Sequence, residues 1–208
     1  LKEFDKIVEI GPGKGALTKY LFEYSDKLIL VEYDTESVEY IKSSFKIHNP
    51  NIIKQDFLKY NLKDVLSQTS KNLIIGNFPY NISSQIIFKI LENYLLVDNL
   101  VGMFQKEVAE MIISKPNSKE YGIISVKTQL LYDVKILFDV SPNVFFPKPR
   151  VNSSVISMTK KKNVNINFDV KLFDRLVKLS FQQRRKKIKN SLKKLDLKEI
   201  ILEDSIFG

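Results

Sequence analysis

Short β-branched runs alternate with stretches of helical periodicity along the first two thirds of the chain. Phe4-Asp5-Lys6-Ile7-Val8-Glu9-Ile10 reads as a strand that stops at Gly11-Pro12-Gly13-Lys14-Gly15, and Ala16, Leu17, Tyr20 and Leu21 then fall at helical spacing. A second strand, Lys27–Val31, ends in Glu32-Tyr33-Asp34 and precedes a helical stretch carrying Val38, Ile41 and Phe45. Asn51–Lys54 before Gln55-Asp56, and Asn72–Ile75 before Gly76-Asn77, continue the alternation. Helices are predicted over Ser83–Tyr94, Lys106–Ser114 and Tyr121–Leu131, with a strand at Leu100–Phe104. Val134–Asp139 and Ser153–Thr159, joined by the proline-rich Ser141–Arg150 connector, read as an antiparallel pair closing the sheet. Strands alternating with helices make an α/β fold with a mainly parallel sheet covered on both faces, and such sheets bind ligands at the carboxyl ends of their strands. The polar residue comes just past the strand end each time, so Gly11, Glu32, Asp56 and Asn77 are predicted to share one edge.

Beyond this unit the pattern changes. Lys160-Lys161-Lys162-Asn163 is the linker candidate, dividing a domain of residues 1–159 from a small helical one of 164–208. In the latter, helices are predicted over Phe168–Ser180 and Phe181–Leu195, each with an apolar stripe. Between Lys160 and Lys194 stand thirteen Lys or Arg and two Asp, a net of +11 within a whole-chain charge of +9, which leaves −2 for everything else. Basicity gathered in one patch is the footprint of a polyanion partner, nucleic acid first and a membrane surface second; a merely solvated lysine face is the plain alternative. With no Cys there is no disulfide framework, thiolate site or cysteine nucleophile, and one histidine, His48, makes no metal site. No apolar run reaches the length of a membrane span and no secretory signal opens the chain, so a soluble cytoplasmic protein is expected.

Three motifs carry chemistry. Glu9-Ile-Gly11-Pro-Gly13-Lys-Gly15 has glycines spaced by two, unlike the G-x-G-x-x-G of dinucleotide sites, and matches the E/D-x-G-x-G-x-G of S-adenosyl-L-methionine-dependent methyltransferases. An ordinary glycine turn is the alternative. Glu32 is placed to accept both ribose hydroxyls and Asp56 to accept from an adenine amine; otherwise they are a helix-start acid and a turn residue. Asn77-Phe78-Pro79-Tyr80 is the most specific of the three. An exocyclic adenine amine is a poor nucleophile because its lone pair is delocalised into the ring. Two acceptors, the Asn77 side-chain oxygen and a backbone carbonyl of Phe78 or Pro79, would draw the nitrogen toward a tetrahedral form, with Tyr80 stacked on a flipped base. A proline turn with a buried tyrosine is the alternative. Met103 and Met111 read as core, and Glu107 with Glu110 as a solvated face.

The run Val8–Thr18, then Val31–Asp34, Gln55–Leu58, Gly76–Ser83, Phe104–Glu110, Tyr121-Gly122, Phe145–Ser153 and Phe181–Lys186, resembles the ribosomal-RNA adenine N6-dimethyltransferases of the KsgA type, in family order over nearly the whole chain. The resemblance implies a Rossmann-like methyltransferase domain with a C-terminal helical domain, dimethylating two adjacent adenosines in a hairpin near the 3′ end of small-subunit rRNA. It assigns Gly11, Glu32, Asp56 and Asn77 to S-adenosyl-L-methionine, with Glu9 and Gly13 shaping the pocket. Asn77, Pro79 and Tyr80 would hold the target base, and the Phe145–Arg150 connector would line its pocket. Arg184, Arg185, Lys186 and Lys187 are the expected RNA contacts, on a small ribosomal subunit, by a monomer. Two alternatives share these features: a large-subunit methyltransferase of the antibiotic-resistance type, and a ribosome-assembly factor that binds rRNA without methylating it. Phe104-Gln-Lys-Glu107 and residues 183–186 favour the small-subunit type. The chain departs from the family at Phe78, where Leu or Ile is usual. It also starts after an upstream helical segment with a Gln-Asn-Phe-Leu-like motif that family members carry, and weak cofactor binding by the 208-residue form is expected on that ground.

Overall fold

The computed structural model describes residues 1–45, 51–162, 164, 166, 168–184 and 186–192. His48 and the chain from 193 on lie outside the described residues. Seven strands form one sheet: β1 (Lys6–Ile10), β2 (Leu28–Glu32), β3 (Ile52–Lys54), β4 (Asn72–Asn77), β5 (Asn99–Gln105), β6 (Tyr132–Val140) and β7 (Ser153–Lys160), in the order β3-β2-β1-β4-β5-β7-β6. The first five are parallel, and β7 and β6 close the sheet antiparallel, as the sequence predicts. The chain leaves β1 toward β2 on one side and returns to β4 on the other, so the strand order reverses between β1 and β4. Ligands of open parallel sheets bind in the crevice at that point.

Both faces of the parallel strands are apolar because both are covered. In β1, β2 and β4 the alternating set Ile7, Leu28, Leu30 and Leu73 packs with Phe4, Leu21 and Ile41 under α1 (Thr18–Leu21) and α2 (Thr35–Phe45). The other set, Val8, Ile10, Ile29, Val31 and Ile74, packs under α3 (Ser83–Glu92), α4 (Lys106–Ile113) and α5 (Ile123–Leu131). A short 3-10 turn at Leu62–Asp64, unmarked in the sequence pattern, buries Leu62 in this second layer.

Two expectations are corrected after β7. The linker candidate begins inside the structure: Lys160 is the last residue of β7, and its ammonium pairs with Asp98 at 2.5 Å. Lys161 donates its backbone N–H to Leu131 O and its side chain to Gln129 O (3.0 and 2.6 Å). The predicted Phe181–Leu195 helix is not continuous. Phe181 and Gln182 end α6 (Val170–Gln182), the chain turns, and α7 (Ile188–Leu192) begins anew. Four consecutive cations, residues 184–187, crowd like charge into a single helical turn, and the Arg184 side chain is drawn back to the α4–α5 loop. Among the described residues no helix is long and apolar enough to cross a membrane.

Candidate active site at the carboxyl edge of the sheet

The glycine loop leaves β1 at the strand-order reversal. Gly11, Gly13 and Gly15 all have positive φ (63°, 56° and 76°), a left-handed conformation that side chains resist. Gly11 N–H donates to Val31 O at 2.9 Å and Gly15 N–H to Pro12 O at 2.8 Å. A Cβ at Gly13 would meet nothing within 4 Å, so this glycine faces open space. The helix that follows is a single turn, shorter than predicted, so the loop's own amides carry more of any ligand contact than a helix dipole does.

Three carboxylates belong to the strands on this side of the sheet and the turns that follow them. Glu32, at the end of β2, is buried and holds its surroundings in place: Oε1 accepts from Tyr33 and Asp34 N–H (2.7 and 2.9 Å), and Oε2 accepts from Gly13 N–H (3.0 Å). One lone pair of Oε2 remains, so in this arrangement Glu32 can accept one further hydroxyl; taking two requires Gly13 N–H to let go. The helix-start role belongs to its neighbour, because Asp34 Oδ2 accepts from Ser37 N–H at 2.7 Å, which holds the Asp34 carboxyl below its usual range. Asp56 is half-buried beyond β3, with Oδ1 accepting from Leu58 N–H at 2.9 Å. Lys89 of α3 ties that loop down through Leu58 O and Tyr60 O (2.9 and 2.5 Å). Glu9 points into the core beside the loop. It is 1% exposed, neither its Oε2 nor the Oγ1 of its neighbour Thr18 completes a hydrogen bond, and burial pushes its pKa up to about 7.

Asn77 is the last residue of β4, exposed at the same edge and paired in register with Met103 of β5. Phe78 turns into the core, Pro79 is exposed, and Tyr80 is half-buried with its hydroxyl 2.5 Å from Ser153 Oγ. Pro79 O accepts from Ile82 N–H (3.1 Å) and Tyr80 O from Ser83 Oγ (3.1 Å), both opening α3. Pro79 O thus keeps one lone pair, while among the described residues Phe78 O accepts no turn or loop hydrogen bond. These four residues border a cavity of about 270 Å³ whose other walls are Met103, Phe145, Pro147 and Pro149. The cavity is apolar on its sides and presents acceptors on one, the pattern of a site for a flat heterocycle with one amine to fix. Across Asn77, Met103 and Phe145 lies a second, largely apolar cavity of about 430 Å³, bordered also by Leu17, Val101 and Phe138.

This geometry can be set beside known proteins. The family model for ribosomal RNA adenine dimethylase matches residues 1–203. The chain belongs to that family. It is, like the family, a methyltransferase with a Rossmann-like sheet. It is 50% identical over 207 residues to the ribosomal RNA small subunit methyltransferase A of Flavobacterium johnsoniae, spanning 100% of this chain and 79% of that protein. Its counterpart in Bacteroides fragilis is 46% identical over 203 residues, 97% of this chain and 74% of that one. Among solved structures, a dimethyladenosine transferase from Plasmodium falciparum superposes with a TM-score of 0.76 at 26% identity, covering 91% of this chain and 68% of that one. The 23S rRNA methyltransferase ErmE shares the fold, with a TM-score of 0.69 at 23% identity over 93% of this chain and 77% of its own.

Within this adenine dimethylase the structure adds two site residues that sequence reasoning missed. Met103, read as core, borders both cavities, and Ser153 anchors Tyr80 from β7. Ser153 closes the Phe145–Ser153 run, but neither that run nor the strand around Met103 tells what the residue meets, because both reach the site through strand pairing. The basic quartet is not uniform. Lys186 and Lys187 are exposed, whereas Arg184 donates to Lys119 O and Tyr121 O (2.9 and 2.6 Å) and lies over the Phe181 ring at 5.8 Å. Arg185 lies outside the described residues. Arg184→Ala is expected to cost about 1–2 kcal/mol and to lower Tm by about 2–6 °C, as well as weakening RNA binding. Replacing Lys186 and Lys187 together by Ala should leave Tm unchanged and flatten the log–log salt dependence of RNA binding by about 1–2. Thermal melts and binding titrations over a salt series check both.

Proposed function

We propose that this protein transfers methyl groups from S-adenosyl-L-methionine to the N6 amines of two adjacent adenosines in a hairpin near the 3′ end of small-subunit rRNA, giving N6,N6-dimethyladenosine. One observation carries the reading: Asn77 and Phe78 stand together at an aromatic- and proline-walled cavity at the carboxyl end of β4, with Pro79 against Gly11 of the glycine loop. The cofactor fits that loop on charge. Glu9, Glu32 and Asp56 would repel a pyrophosphate, but suit a nucleoside whose tail bears an ammonium and a sulfonium. Glu32 would take a ribose hydroxyl, Asp56 the adenine amine, and Gly11 and Gly13 would let the tail approach the backbone, with Glu9 shaping the floor and Asn77 bordering the methyl.

The cofactor supplies an electrophilic methyl carbon on sulfur. Asn77 Oδ1 and Phe78 O each accept one hydrogen of the target amine, which pulls its lone pair out of conjugation and aims it away from both acceptors. As the N–C bond forms and the S–C bond breaks, positive charge grows on the nitrogen, and the same two oxygens stabilise it. Tyr80 and Pro79 hold the base, with the Tyr80 ring fixed through Ser153. The proton then leaves to water, so no strong base is required, and a second passage converts the monomethylated amine.

Residues 1–159 act in this reading as the methyltransferase domain and 164–208 as the basic domain that grips RNA through Arg184, Arg185, Lys186 and Lys187. Phe146, fully exposed beside Lys148 and Arg150 at the cavity, offers a face for unpaired RNA. The protein works as a monomer in the cytoplasm, on an assembling small subunit. The 46–50% identity to small-subunit enzymes, against 23% to the large-subunit one, supports the choice of subunit. The test is methyl transfer from labelled S-adenosyl-L-methionine to small subunits lacking the modification, with large subunits alongside and modified bases mapped. Label on adjacent small-subunit adenosines is expected; label on large subunits only, or RNA binding with no label, overturns the proposal.

A further inference from the structure

We propose that Phe78 is a positioning residue for methyl transfer: its ring, seated in a slot left by the paired glycines Gly76 and Gly102, fixes the carbonyl that receives the target amine. The inference rests on the reading of Asn77–Tyr80 as the reacting segment, and deepens it.

Gly76 of β4 and Gly102 of β5 are direct partners in the parallel register. Side chains alternate across a strand, so both belong to the row of Ile74, Leu100 and Phe104, which faces the α3–α5 layer. In that row the two glycines leave a gap the width of two side chains, and Phe78 folds back to fill it. The fit is exclusive. A Cβ at Gly76 would stand 2.6 Å from Phe78 Cε1 and 2.7 Å from Ile10 O. At Gly102 it would overlap Phe78 Cε2 and stand 2.8 Å from Cζ. The ring thus straddles the pair, one edge over each glycine, and its remaining freedom is closed by Phe104, edge-on with centroids 5.1 Å apart at 71°. It is 1% exposed.

A ring held on three sides fixes the Cα–Cβ direction of Phe78 and with it the peptide planes on either side. The next residue tightens this, because a residue before proline is confined to extended ψ and Pro79 has its own φ locked. Phe78 O is therefore held from below by packing and from ahead by the proline, while Asn77 on one side and Pro79 on the other stay exposed to the cavity. Two acceptors must bracket one small amine, so a few tenths of an ångström in either is felt in the rate and hardly in binding. The aromatic residue at position 78 and the glycine at 102 form one exchange of volume across the sheet, each requiring the other.

A double-mutant cycle in the full chain tests this, with kcat, the KM for RNA and the cofactor Kd measured well below each variant's Tm. Gly102→Ala should lift the ring and lower kcat at least tenfold, with KM and Kd within about threefold. Phe78→Leu should lower kcat severalfold by leaving the slot unfilled. Phe78→Leu with Gly102→Ala should regain most of the wild-type kcat, because the added methyl occupies space the leucine does not. If Gly102→Ala does not fold, the comparison of Phe78→Leu with the double variant carries the test. A Gly102→Ala enzyme with wild-type kcat, or a double variant no faster than Phe78→Leu alone, overturns the inference and leaves the proposed reaction standing. A wild-type protein that methylates no RNA overturns the reaction first.

Discussion

Asn77→Ala should reduce kcat for adenine methylation by about 10²–10³-fold, the cost typical of deleting one preorganised partner of a charge that develops in the transition state. The size follows from what the residue does and does not do in the resting protein. Its side chain is exposed and hydrogen-bonds to no protein group among the described residues, so truncation removes no packing and Tm should hold within about 1 °C of the wild type. Its backbone pairing with β5 is untouched by the substitution. The Phe78 carbonyl remains, so one of two acceptors survives, and the reaction should be slow rather than absent. On the proposed reading RNA affinity rests on the basic residues and should be unchanged, and cofactor affinity should fall only a few-fold. Single-turnover transfer with labelled cofactor, alongside separate binding titrations, gives the three numbers. An Asn77→Ala enzyme of normal kcat would remove the two-acceptor mechanism altogether.

The strands and their order of appearance are written plainly in this chain, because a sheet buried on both faces demands unbroken apolar runs, and each run is cut by a glycine, acid or amide at its carboxyl end. The gathering of Gly11, Glu32, Asp56 and Asn77 at one edge follows directly from that. What stays hidden is whatever depends on the neighbouring strand. Gly102 looks like an ordinary weak point in a strand until its register with Gly76 makes it half of a slot. Ser153 sits 73 residues from the tyrosine it holds. Arg184 reads as one more cation in a basic run, yet two of its guanidinium donors are engaged by carbonyls 63 and 65 residues away. The local failures have local causes: the loop's three left-handed glycines delay α1, and charge crowding at 184–187 divides the predicted last helix.

Glu9→Gln should change the stability of the cofactor-free protein with pH more than any other single replacement at the site. Burial raises the Glu9 carboxyl from 4.5 to about 7, and the nearby Glu32 charge adds to it. A carboxyl whose folded pKa lies above its unfolded value binds more protons in the native state between the two. Stability therefore falls as pH rises from about 4.5 to about 7, and the whole penalty is present above 7. At about 1.4 kcal/mol per unit, the difference amounts to about 3 kcal/mol. The neutral amide has no such term. Urea denaturation from pH 5 to pH 8 should show the wild type losing about 2.5 kcal/mol relative to Glu9→Gln across that range, the two drawing together toward the acid end. A parallel pair of curves would mean that Glu9 is ionised at no unusual cost. The same linkage runs through the cofactor. A ligand that brings positive charge to the glycine loop favours the ionised carboxylate, so wild-type affinity should rise through pH 7 as the proton leaves. The Glu9→Gln variant should bind more weakly and without that pH dependence. On the proposed reading, a site destabilised while empty and relieved when a cation arrives would select for the charge of S-adenosyl-L-methionine over neutral nucleosides of the same shape.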